Sequence, residues 1–119
     1  MIGWYILNDL NEPILLEGPY AEVVHQYCLW EESHMDKKVV AKTFFRPQDE
    51  VEVSTVFLGM DHSHYFGMEP HLPMLWETLV FRGPLDGEMD RYPTYELAVK
   101  GHKDMCLRVA ERLEEPKND

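Results

Sequence analysis

The sequence predicts an α+β fold, a mostly antiparallel sheet of about five or six strands with two helices packed on one face. Three observations carry that expectation. Apolar residues alternate with period two through Val51, Val53, Thr55 and Phe57, and again through Trp76, Thr78 and Val80, as pleated strands with two distinct faces require. Helical spacing holds over residues 20–32 and again over 95–113. The connections between the strand-like runs are too short for crossover helices, so neighbouring strands run antiparallel. With 119 residues and 45% hydrophobic composition, the chain is expected to form one domain over 1–119, with a polar tail fraying over 114–119.

Taken in order, Gly3–Leu7 and Pro13–Leu16 are short apolar runs flanking the turn formers Asn8–Glu12, which reads as a hairpin. Gly18–Pro19 breaks the chain and opens a helix from about Tyr20 to Glu32, on which Tyr20, Val23, Val24, Tyr27 and Cys28 recur at helical spacing. After a polar segment, Val39–Phe45 is β-branched and aromatic until Pro47 stops it, and a short turn leads into the strand that begins at Val51. Residues 63–72 form an insert rich in Pro, Gly and His before the strand through Trp76. Gly83–Pro84 and Asp86–Gly87 announce a tight reversal, and Asp90–Tyr92 suits a short edge strand. Thr94 is placed to cap a final helix whose apolar stripe is read as Leu97, Ala98, Gly101, Met105, Cys106, Val109, Ala110 and Leu113.

Charge bounds the partners. The formal net charge of −11 disfavours nucleic-acid phosphates and anionic membranes and suits a basic protein, although acidity also serves solubility. Cys28 and Cys106 form neither a disulfide framework nor a zinc pattern, which fits cytoplasmic thiols. The N-terminus lacks a basic leader region, and no apolar run approaches the roughly 18 residues of a membrane span, so secretion and membrane insertion are not expected.

The strings S-T-V-F-L-G-M-D-H (Ser54–His62), P-M-L-W-E-T-L-V-F (Pro73–Phe81), R-Y-P-T (Arg91–Thr94) and G-H-K-D-M (Gly101–Met105) resemble a group of small proteins common in tailed-phage and prophage genomes. The resemblance spans the C-terminal half and excludes the first 50 residues. The group has no assigned activity. It implies an accessory factor acting in the host cytoplasm, and an acidic module that occupies a basic nucleic-acid-binding groove could inhibit host defence or processing machinery.

Four sets of residues are candidates for a site. Asp61, His62, His64, Glu69 and His71 could supply carboxylate and imidazole ligands to a metal, or could form only a polar loop. Glu77 shares a strand face with Leu75, Leu79 and Phe81 and needs a partner such as Arg82, Arg91, His62 or Thr55, either as a structural pair or as a general base. His102 lies on the apolar stripe beside Gly101, which lets the helix approach the sheet, as a core histidine or as part of a site with Asp61, His62 and Glu77. Trp76, Tyr65, Phe66 and Trp4 form an aromatic set suited to core or interface. No nucleophile pair, elbow turn or phosphate loop accompanies them, and no cofactor is implied. The leading expectation is therefore a binding protein with a basic protein partner. The alternatives are a ligand or metal site, catalytic or not, and a virion or assembly component with homo-oligomeric contacts.

Overall fold

The computed structural model describes residues 3–45, 50–61 and 72–114. It is an α+β fold with every strand pairing antiparallel. A hairpin of β1 (Tyr5–Leu7) and β2 (Pro13–Leu15) leads into α1 (Tyr20–Ser33) and the short α2 (Met35–Lys38). Strands β3 (Val39–Phe45), β4 (Val51–Phe57), β5 (Trp76–Phe81) and β6 (Met89–Tyr92) form a four-stranded meander in chain order, and α3 (Tyr95–Glu114) closes the fold.

The six strands thus divide into a sheet of four and a sheet of two. The strands of the hairpin are three residues each and pair with one another. The hairpin is instead tied to the extension of β4, through Tyr5 N–H donating to the Gly59 carbonyl at 2.7 Å and a bridge between Trp4 and Met60.

Register fixes the faces of the large sheet. Val53 lies opposite Val80, Thr55 opposite Thr78 and Phe57 opposite Trp76, and this face packs against α3. The core has two parts along it. Val51, Val53, Val80 and Leu85 pack with Met105 and Val109, while Phe57, Leu75 and Trp76 pack with Ala98 and with Tyr27 and Trp30 of α1. The opposite face carries Glu77 and Arg91 and leaves Phe44, Phe81 and Met89 exposed.

Thr94 caps α3 as its chemistry requires, its Oγ1 accepting the Leu97 N–H at 3.1 Å. The buried arc of α3 is Ala98, His102, Met105 and Val109. Leu97, expected on the stripe, is 46% exposed, because that arc centres one residue further along the helix. On α1 the buried residues are Val23, Tyr27 and Trp30, so Trp30 rather than Cys28 faces the core, and Tyr20 and Cys28 are exposed.

Gly101 is where α3 touches β6. A Cβ there would overlap the Tyr92 ring at Cζ and the hydroxyl. Replacing Gly101 with Leu is expected to destabilise the fold by about 1–3 kcal/mol through overpacking. Chemical denaturation checks this, and an unchanged midpoint would show that α3 does not dock at Tyr92.

Candidate functional site

The alternation of strands puts threonines from three strands on the face beneath α3, and the helix inserts His102 among them. The imidazole is buried, with Nδ1 2.7 Å from Thr55 Oγ1 and Nε2 2.8 Å from Thr43 Oγ1. Thr55 Oγ1 lies 2.5 Å from Thr78 Oγ1, which accepts the Tyr92 hydroxyl at 3.1 Å. With Tyr92 donating to Thr78, the remaining hydroxyls and the neutral ring pair in sequence, each ring nitrogen meeting one threonine hydroxyl, and the direction of these bonds goes with the tautomer of the ring. The row separates the two apolar parts of the core and leaves no ring nitrogen to act on a substrate.

Burial lowers the His102 pKa from its ordinary value of 6.5. The sign follows directly. Below about pH 6.5 the unfolded chain protonates this ring while the folded chain resists, so the unfolded state binds more protons and stability falls as the pH is lowered. Above that range the residue contributes no slope. Denaturation midpoints between about pH 7.5 and 5.5 are expected to fall in the native chain and to fall less steeply in His102→Gln; equal slopes would reject the assignment.

Glu77 faces the other side. It is the cross-strand neighbour of Arg91, whose Nε donates to Glu77 Oε2 at 3.1 Å, and both side chains are partly buried. This is a structural ion pair within an antiparallel ladder. Because successive strand residues point to opposite faces, the sheet stands between Glu77 and the Thr78–Thr55–His102 row. The expected convergence of Glu77 and His102 in one site is therefore corrected. Trp76 is fully buried against Phe57, with ring centroids 5.3 Å apart, and so is core rather than interface. Burial pushes the Cys106 thiol up, which keeps it protonated and poorly nucleophilic.

His62, His64, Tyr65, Phe66, Glu69 and His71 lie outside the described residues. Among the described residues, no group of three or more His, Cys, Asp or Glu side chains could hold a metal ion. Nor is any described helix long and apolar enough to cross a membrane.

Asp61 does line a concavity, but one built with partners the sequence did not suggest. An open cleft of about 320 Å³ lies between the hairpin, the start of α1 and the extension of β4. Its walls include Trp4, Tyr5, Leu15, Leu16 and Tyr20, with Asp61 at its edge. The backbone holds Asp61 there through its N–H to the Gly3 carbonyl at 3.3 Å, and its Oδ1 accepts the Met74 N–H at 3.0 Å. Trp4 packs on Tyr27 with centroids 4.9 Å apart, which fixes the aromatic wall. The Tyr5 phenol is held above its ordinary pKa of 10.0, first by burial and then by the Asp61 charge. Trp4 was legible as an aromatic suited to core or interface; its meeting with Asp61 depends on a bridge between distant segments that no local pattern shows.

No family model, no curated protein and no solved structure significantly matches the chain.

Proposed function

We propose that the chain acts by binding a basic protein partner through the unit formed by the β1–β2 hairpin and α1. One observation carries this reading. Residues 1–33 contain Asp9, Glu12, Glu17, Glu22, Glu31 and Glu32 and no Lys or Arg, so this unit is negative, with Glu31 paired to Lys38 of α2 and Lys37 reaching Asn11. Asp9, Glu12, Glu17, Glu22 and Glu32 are exposed, interleaved with exposed Leu10, Ile14, Leu15 and Tyr20. Apolar contacts with charged surroundings are the anatomy of a protein interface, and the charge selects and steers a partner of opposite sign. The finer reading is an accessory inhibitor that covers a basic nucleic-acid-binding surface of a host protein; it draws on the acidity of this unit, since the resemblance to small phage and prophage proteins lies in the C-terminal half and excludes the first 50 residues.

A charge-relocation experiment tests it, with a nona-arginine peptide as probe and calorimetry as readout. Glu12→Lys, Glu17→Lys and Glu22→Lys together are expected to abolish binding. The triple reversal Glu96→Lys, Glu111→Lys and Glu114→Lys on α3, with the same change in net charge, is expected to retain most of it. Binding to the native chain should also weaken as salt shortens the Debye length from about 10 Å at 0.1 M to about 3 Å at 1 M. Equal losses in the two triple variants would show that only total charge matters, and would remove the assignment to this unit.

A further inference from the structure

We infer that the face of the four-stranded sheet opposite α3 joins two copies of this chain in an isologous dimer. The inference is independent of the assignment of basic-partner binding to the hairpin and α1, and uses a different part of the surface.

Strand alternation makes this face apolar. An antiparallel sheet with one side in water carries polar residues at its outward positions. Here α3 covers the other side of all four strands, and the outward positions include Val56, Leu79, Phe81 and Met89, with Phe44 of β3 in one row with Glu52 and Phe81. Phe81 is 38% exposed, Met89 43% and Phe44 49%. Leu79 pairs with Met89 and lies two residues from Phe81, so the apolar surface is continuous across β5 and β6. A surface of this kind marks an interface rather than a scatter of single exposed residues.

Charge says what covers it. With a formal net charge of −11, a second copy is repelled wherever carboxylates stand in excess. On this face the strands contribute Glu52 and Glu77, and each has a guanidinium: Arg91 lies 3.1 Å from Glu77 and Arg82 lies 3.9 Å from Glu52. Asp90, opposite Thr78, belongs to the α3 side, and exposed Lys42 adds a positive charge here. A basic partner finds no surplus of carboxylates, and one extra lysine is too little to hold a nucleic acid. A second copy brings the same apolar residues and the same balanced charges, so two acidic chains meet where neither is acidic. The area is sufficient as well. Four strands about 4.8 Å apart and up to seven residues long span roughly 19 by 23 Å, or about 900 Å² for two faces before side-chain relief is counted. A specific interface needs about 1,000 Å² in total.

The test is sedimentation equilibrium of the native chain up to about 1 mM, together with backbone amide shifts of the ¹⁵N-labelled chain on dilution. A reversible dimer with a Kd of roughly 10–100 μM is expected for an interface of this size. Dilution should move amides at residues 42–44, 52–56, 79–81 and 89–91. Raising salt from about 0.05 to 0.5 M should tighten the dimer at least about threefold, because screening weakens the repulsion between two acidic chains. Binding of a basic partner responds to salt in the opposite sense. Phe81→Glu with Met89→Glu alters exposed side chains, sets like charges against one another and should raise Kd at least about tenfold. Lys42→Glu keeps the apolar surface and should raise it about threefold. Leu97→Glu with Leu107→Glu adds as much charge at exposed positions of α3 and should leave Kd within about twofold. Circular dichroism shows whether the variants fold, and the dilution shifts of the native chain locate the interface without any variant. A native chain that stays monomeric, dilution shifts confined to α1 or α3, a dimer weakened by salt, or equal effects of the two double variants would overturn the inference.

Discussion

Trp76→Ala is expected to be the most damaging single truncation in this protein, lowering stability by about 3–5 kcal/mol. The indole is fully buried where the sheet meets two helices, in one cluster with Phe57, Tyr27 and Trp30 on one side and Ala98 on the other. Removing it opens a cavity whose walls are strands and helices held by their own hydrogen bonds, so collapse is limited. Small domains have only about 5–15 kcal/mol of net stability, and the variant should unfold at a much lower denaturant concentration. The Nε1–H has no hydrogen-bond partner among the described residues. Trp76→Phe therefore keeps most of the packing and sheds an unsatisfied donor, and should cost markedly less. An alanine variant within about 1 kcal/mol of the native chain would contradict the packing of this cluster.

Gly59→Ala is expected to cost about 2–4 kcal/mol, for two separable reasons. The backbone is at φ +80°, where an L side chain is strained, and the added Cβ would lie 2.6 Å from Tyr27 Cζ. Tyr27 cannot easily yield, because its ring packs on Trp4 at 4.9 Å and on Trp30 at 6.0 Å. Combining Gly59→Ala with Tyr27→Leu isolates the two contributions. The double variant should lose less than the sum of the single changes, since the overlap is gone and only the backbone strain persists. Strict additivity, measured by denaturant unfolding, would mean that the ring and the glycine do not meet.

The architecture was largely legible because its determinants are local. Alternation through Val51–Phe57 and Trp76–Val80 gave the faces, Thr94 the start of the last helix, and Gly83–Pro84 the reversal that the Asp86 N–H to Gly83 carbonyl bond closes at 3.1 Å. What escaped depends on distant meetings. Leu97 is as apolar as its neighbours and reads as inward but is exposed, whereas His102, read on the same stripe, is buried; its partners Thr43 and Thr55, with Thr78 behind Thr55, come from three separate strands and no local pattern names them. Glu77 was correctly seen to need a partner, and Arg91 was among those named, but the opposite-face placement relative to His102 follows only from the sheet register. The cleft joins residues 3–23 to Asp61 through the Trp4–Met60 bridge, a pairing of two short segments with no periodic signature.

The row from Thr43 through His102, Thr55 and Thr78 to Tyr92 also bears on how the chain finds its alignment while folding. Valines and phenylalanines in a strand are nearly interchangeable partners, so an apolar ladder alone distinguishes poorly between neighbouring pairings. A slip of β4 by one residue would turn Thr55 away from the helix and leave the imidazole facing Ser54 and Val56 positions that alternate the wrong way. Each polar group then stranded without a bond costs about 1–3 kcal/mol. Misaligned pairings are thereby penalised in the middle of the sheet, where both halves of the core feel the error, and the meander has a built-in means of proofreading its own assembly.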